Sequence, residues 1–211
     1  MRVYALVPAA GRGTRFGGEK LLAKWQDREL IGHVLLKLGG ARAAGLVSLT
    51  FVVHRPEDDA IRNLAIEYRC HAEALRVADG ELSYTLRTGI EAIRTRGSTD
   101  PDQALLVCHG DQPMLRLDVI RALVDVWKQG SAKAVRPSYR DTPGEPGHPL
   151  LIDRTLWHLA AEIRGDTGFG PVLARHAVPV RTISVAGSNP DVDTAADLAA
   201  LDSPAPAPAP A

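Results

Sequence analysis

The stretch VYALVPAAGRGTRFGGEKLL, Val3 to Leu22, sets the reading of this 211-residue chain. Val3 to Val7 form a short apolar run of the kind that suits a strand buried on both faces. The run is expected to break at Pro8 into a turn holding Gly11, Gly13, Gly17 and Gly18, with Arg12, Arg15 and Lys20 interleaved. Glycine permits positive φ and close backbone approach, which lets successive amides converge on an anion. A strand end, an amide-rich loop and three cations together suit a polyanion such as a nucleoside triphosphate.

Two other glycine loops fit less well. A P-loop carries Ser or Thr after its lysine, and here Lys20 is followed by Leu21. The dinucleotide fingerprint begins correctly at Gly11-Arg12-Gly13, but its third glycine arrives one residue late, at Gly17. The next candidate strand, Ser48 to Val53, ends in His54-Arg55 where that motif needs an acid. Arg55 leaves an NADP variant open, and a solvated loop that needs glycine only for its turn is the plain alternative.

With 45% hydrophobic residues, the chain is long enough for one α/β domain with a sizeable core. Lys and Arg total 25, as do Asp and Glu, so no bulk charge points to nucleic acid, and local clusters must carry any ligand. Cys70 and Cys108 are far apart and lack metal spacing, so both are expected to be reduced core residues. No apolar run approaches the length of a membrane span and no leader pattern opens the sequence; a cytoplasmic protein is expected.

Periodicity predicts a helix over Leu30 to Ala44, a strand over Leu46 to Val53 and a helix over Pro56 to Tyr68 with an acidic first turn. A short strand near Ala72 to Val77 and a helix running to about Arg96 follow. Such alternation implies a parallel sheet whose ligands sit at the carboxyl ends of the strands. Ala104 to Cys108 is the most apolar strand and runs into His109-Gly110-Asp111-Gln112-Pro113. An acid after glycine at the tip of a central strand is placed to hold magnesium against a bound phosphate. Asp111 is therefore the first expected metal ligand, the alternative being a cap for the helix Leu117 to Lys128. Strands at Ala132 to Pro137 and Val178 to Val185 and a helix at Trp157 to Ile163 are also expected. Ser203 to Ala211 is a Pro-Ala repeat without core-forming residues and is expected to be a disordered tail.

Ala9-Ala10-Gly11-Arg12-Gly13-Thr14-Arg15-Phe16-Gly17-Gly18, with Lys20 and Leu21-Leu22, resembles the signature loop of the nucleotidyltransferases that attach a nucleotide to the molybdenum cofactor, and most closely their cytidylyltransferase branch. Gly80-Glu81-Leu82-Ser83 with Leu86-Arg87-Thr88-Gly89, Gly110-Asp111-Gln112-Pro113, Gly147-His148-Pro149, Gly165-Asp166-Thr167-Gly168 and Asp191-Val192-Asp193-Thr194 extend the likeness along nearly the whole chain. The resemblance implies a single-domain, Rossmann-like three-layer α/β fold over residues 1–202, with a mostly parallel sheet. It implies catalytic roles for Arg15, Lys20 and Asp111, and nucleotide contacts from Ala9, Ala10, Gly11, Arg12, Gly13, Gly80, Ser83, Arg87 and Gly110. The acceptor side would be formed by Tyr139, Gly147, His148, Pro149 and Asp166, and Asp191 or Asp193 would add a second carboxylate on magnesium. Thr194 or Asp193 capping the last helix, and Ser83 lying near a helix N-cap, are the structural alternatives.

The implied reaction joins CMP from CTP to the terminal phosphate of molybdopterin, with release of pyrophosphate and a molybdenum hydroxylase as eventual recipient. Ala10 favours CTP, because guanine-using relatives carry Ala-Gly-Gly there. His148 is not expected to act as a base, since a phosphate monoester with a second pKa of about 6 is already an anion at neutral pH. Phe169-Gly170-Pro171 replaces the basic residue usual after Gly168, and His109 replaces an apolar one; His109 is taken as incidental. The altered stretch after Gly168 motivates a rival reading as a cofactor-holding insertion chaperone, and GTP or another phosphorylated acceptor is a further alternative.

Overall fold

The computed structural model of the protein describes residues 1–75, 80–97 and 100–202. Its elements in chain order are β1 (Arg2–Ala9), a small hairpin of β2 (Lys24–Trp25) and β3 (Arg28–Glu29), α1 (Leu30–Ala43), β4 (Leu49–His54), α2 (Asp59–Glu67), β5 (His71–Ala74) and α3 (Leu82–Arg96). There follow β6 (Gln103–Val107), α4 (Leu117–Lys128), β7 (Ala134–Tyr139), β8 (Leu150–Asp153), α5 (Phe169–Arg175), β9 (Val180–Val185) and α6 (Ala195–Ala200). Seven strands form one sheet in the order β5-β4-β1-β6-β8-β7-β9.

The apolar run at the N-terminus becomes a strand near the middle of this sheet because both of its faces are covered. Val3, Ala5, Val7 and Ala9 belong to a core shared with Ile31, Val34 and Leu35 of α1 and with Val119, Ile120 and Leu123 of α4. Tyr4 and Leu6 point the other way, into a core with Leu86, Ile90 and Ile93 of α3 and with Trp157. Alternate residues of one strand thus feed two helical layers, which makes the expected three-layer α/β arrangement.

The sheet is parallel except at β8, which runs antiparallel to both β6 and β7. The reason is the connection: β7 returns through a loop, with no helix to carry the chain back to the starting edge. β1 does not stop at Pro8 but continues to Ala9, paired with β4 as far as His54. Its ladder with β6 ends at Leu6, whose carbonyl accepts from the Cys108 amide at 2.9 Å. Pro8 shares the Leu6 orientation, so its missing N–H falls where no ladder bond was needed.

Other boundaries moved for local reasons. α2 starts at Asp59, after Pro56 and Glu57, because the Asp58 carboxylate caps it by accepting from the Ile61 amide at 3.1 Å. The expected helix at Trp157 to Ile163 is a 3-10 segment, Arg154–Glu162, begun by Asp153 accepting from the Thr155 amide at 2.9 Å. α5 has no counterpart in the sequence reading. Residues 76–79, at the end of the strand expected near Ala72 to Val77, and the Pro-Ala segment 203–211 lie outside the described residues. Cys70 and Cys108 are free thiols, and burial pushes both above the ordinary thiol range, Cys70 to about 11. Among the described residues no helix is long and apolar enough to cross a membrane.

Gly89 is where α3 presses on β1: a Cβ there would meet the Cγ and both methyls of Leu6, which is fully buried. Gly89→Val is expected to destabilise the protein by about 1–3 kcal/mol through overpacking, read from the urea midpoint. An unchanged midpoint would show that the α3–β1 contact has slack.

Candidate active site

The loops that leave the carboxyl ends of β1 and β6 border a cleft of about 470 Å³. On the β1 side, the turn is built by Gly13 at φ 59° and Gly17 at φ 85°, which bracket a 3-10 turn at Thr14–Phe16. A Cβ on Gly13 would run into the Gly18 carbonyl, so the loop closes only with glycine there. The amides of Phe16, Gly17 and Lys20 are used inside the loop, on the Gly13, Thr14 and Gly18 carbonyls. The expected convergence of amides on a ligand is therefore limited to the rest of the turn. Ala10, Gly11, Arg12, Gly13 and Arg15 line the cleft.

Three distant segments meet at Lys20. Its ammonium lies 2.6 Å from Asp111 Oδ2 and 2.9 Å from Asp193 Oδ1, while Arg15 reaches Asp193 Oδ2 at 2.9 Å. Burial alone would lower the Lys20 pKa, but the charges of Asp111 and Asp193 and their hydrogen bonds outweigh it and hold the amine above its ordinary value. Lys20 is thus a fixed cation in the wall of the cleft. Asp111 does not cap α4, which begins at Leu117. Asp193 and Thr194 divide the two roles expected of them: Thr194 caps α6 in a capping box with Asp197, and Asp193 faces the cations.

The segment before α6 is tied to the end of β6. The Val192 amide donates to the Asp111 carbonyl at 3.0 Å, and buried Asn189 donates to Gln112 Oε1 at 3.2 Å. This places Asp191 beside His109, with Nδ1 3.7 Å from Asp191 Oδ1. Burial would raise the Asp191 carboxyl, but the neighbouring His109, with His148 and Lys20 beyond, holds it below the usual carboxylate range. His109, Asp111 and Asp191 each offer a ligand atom, and these atoms all lie within 4.8 Å of one another. Asp111 Oδ1 is buried and accepts no hydrogen bond. An unsatisfied buried carboxylate oxygen among such donors fits a divalent cation. His109 also lines the cleft, although the sequence reading set it aside; its place directly before Gly110-Asp111 at a strand tip was the available signal.

Several expected site residues are employed elsewhere. Ala9 is buried in the core. Ser83 is buried at the second position of α3, and Arg87 is held by the Ile163 carbonyl at 3.0 Å and lies over the Tyr84 ring at 4.7 Å. Neither lines the cleft, where Gly80, Glu81, Leu82 and Thr85 represent this region. Along α3, Leu82 and Thr85 face the cleft, whereas Ser83 and Arg87 are not part of its lining. Gly110, Asp166 and Asp193 line it, but Asp166 also accepts from the Leu82 amide at 3.2 Å, capping α3 from another loop.

Tyr139, Gly147, His148 and Pro149 form a layer behind His109, outside the lining of the cleft. The Tyr139 hydroxyl donates to the His148 carbonyl at 2.8 Å, and burial pushes its pKa up to about 12. Gly147 packs on the Pro137 carbonyl. The His148 ring lies 4.0 Å from that of His109, and its pKa is pushed down to about 3 by burial and by the neighbouring His109 and Arg136. It is a neutral, weakly basic ring at physiological pH.

Residues 5–180 match the MobA-like NTP transferase domain. The 2-C-methyl-D-erythritol 4-phosphate cytidylyltransferase of Cereibacter sphaeroides is 31% identical over 171 residues, covering 74% of this chain and 68% of that protein. Among solved structures, Rv0371c of Mycobacterium tuberculosis superposes with a TM-score of 0.77 at 27% identity, covering 95% of this chain and 98% of its own. A manganese complex of Rv0371c gives 0.75 at 26% identity, covering 95% and 98%. The molybdopterin-guanine dinucleotide biosynthesis protein A of Archaeoglobus fulgidus, at 20% identity and a TM-score of 0.63 over 94% and 95% of the two chains, shares the fold.

The Lys20–Asp111 contact is largely shielded, with side chains 15% and 17% exposed. A double-mutant cycle of Lys20→Met and Asp111→Asn is expected to give a coupling energy of about 0.5–3 kcal/mol in denaturant unfolding. Single effects that simply add would mean that the pair is not energetically joined.

Proposed function

The chain belongs to the MobA-like NTP transferase family, and we propose that it joins CMP from CTP to the terminal phosphate of molybdopterin, releasing pyrophosphate. Membership makes it a nucleotidyltransferase acting on a nucleoside triphosphate; the choice of base and acceptor is the inference. The observation that carries the catalytic reading is the meeting of Arg15, Lys20, Asp111 and Asp193 in one cleft beside the glycine loop.

The chemistry needs positioning and charge neutralisation more than proton transfer. The acceptor phosphate, with a second pKa of about 6, presents an anionic oxygen at neutral pH. That oxygen forms a bond to the α-phosphorus, the bond from this phosphorus to the bridging oxygen breaks, and its electron pair leaves with pyrophosphate. Lys20 and Arg15 are placed to offset the negative charge of the triphosphate. Asp111, with His109 and Asp191, would hold a divalent cation, which when bound withdraws charge from phosphate oxygens. His148, a weak base outside the cleft lining, has no proton to remove.

Ala10 supports cytosine: it lines the cleft at the position where Ala-Gly-Gly sequences carry glycine. The Cereibacter sphaeroides cytidylyltransferase also favours CTP, and the manganese complex of Rv0371c favours a divalent cation. The same cytidylyltransferase motivates a second reading with a small sugar-alcohol phosphate as acceptor. Phe169, buried where the resemblance expects a base, fits that reading because it adds no charge for a larger anionic acceptor.

Incubation with CTP labelled at the α-phosphate and a divalent cation separates the two. Label is expected on molybdopterin and not on 2-C-methyl-D-erythritol 4-phosphate, and Asp111→Ala is expected to lower the rate on the order of 10²–10³-fold. Label on the sugar phosphate alone would overturn the molybdopterin assignment. Tight molybdopterin binding with no label transfer would instead favour a cofactor-holding role.

A further inference from the structure

His109 is the one donor in the cation-binding group that is not an oxygen, and its position is built. The Asp111–Val192 backbone hydrogen bond and the Asn189–Gln112 hydrogen bond flank Asp191 and fix it against the tip of β6. His148 packs on the His109 ring at 4.0 Å, and the Tyr139 hydroxyl and Asn189 both donate to the His148 carbonyl, at 2.8 and 3.4 Å. Asp111 gives Oδ2 to Lys20, while its Oδ1 is buried without a hydrogen bond. The site therefore pairs two carboxylates with a buttressed imidazole.

From this donor set we propose that His109, Asp111 and Asp191 form a mixed imidazole–carboxylate site that takes a first-row divalent transition ion, such as Mn²⁺, in preference to Mg²⁺. Mg²⁺ demands near-ideal octahedral oxygen ligation and keeps several of its waters, so an imidazole adds little to its binding. Transition ions accept nitrogen more readily, and His109 then becomes a ligand that discriminates between the two classes. His148 acts as a positioning residue for the His109 ring. The proposal shares Asp111 with the transfer reading but needs no nucleotide, so ion binding and nucleotide transfer can fail separately.

The test is a titration of the intact protein with Mn²⁺, read by electron paramagnetic resonance without nucleotide, with Mg²⁺ as competitor. Electron spin-echo modulation from a directly bound ¹⁴N is expected in the wild type, absent in His109→Ala and His109→Gln, and retained in His148→Leu. Both His109 variants are expected to bind Mn²⁺ about tenfold or more weakly while Mg²⁺ affinity moves by less than about twofold. No Mn²⁺ binding, no nitrogen modulation in the wild type, modulation that survives both His109 substitutions, or an equal loss for the two ions would each overturn the proposal.

Discussion

One ammonium group ties this molecule's ends to its centre. Lys20 lies 2.6 Å from Asp111 and 2.9 Å from Asp193, so the loop after β1, the tip of β6 and the segment before α6 meet at a single charge. Without it, two carboxylates would face each other across a partly shielded cleft, a costly arrangement at low effective dielectric. With it, the walls that would meet a triphosphate hold opposite charges in register, and Arg15 extends the positive side outward at 76% exposure.

That meeting point rests on a sheet that needs no help from the site. β1 is covered by α1 and α4 on one face and by α3 on the other, and the carboxyl ends of β1 and β6 are left to open into loops. Loops after a buried parallel pair are free to carry polar groups, because the burial that orders the strands has already been achieved beneath them. The antiparallel β8 lies between β6 and β7. It brings the His148 layer up behind His109, where the two rings pack.

Much of this was legible in the sequence, for reasons that can be named. α4 matched its expected bounds because its apolar stripe is regular. The glycine loop and Asp111 were legible because strand-tip chemistry is local. Proline misled at Pro8, since its cost depends on which neighbour its absent N–H would have faced. The Lys20–Asp193 pair, 173 residues apart, leaves no local trace. Arg87 shows the converse: a residue of the right type for a ligand is used on the Ile163 carbonyl, outside the cleft lining. His109 was passed over because it departed from the pattern the chain resembles, and geometry alone shows it beside Asp191.

The central claim is that the Lys20 cluster is a triphosphate site that serves transfer to an acceptor. Pyrophosphate release tests it most directly, measured with CTP, GTP and ATP in turn, each with and without molybdenum-loaded molybdopterin and with Mg²⁺ or Mn²⁺ present. The account predicts acceptor-dependent release with CTP alone. Release with none of the three nucleotides, under either cation, would contradict it.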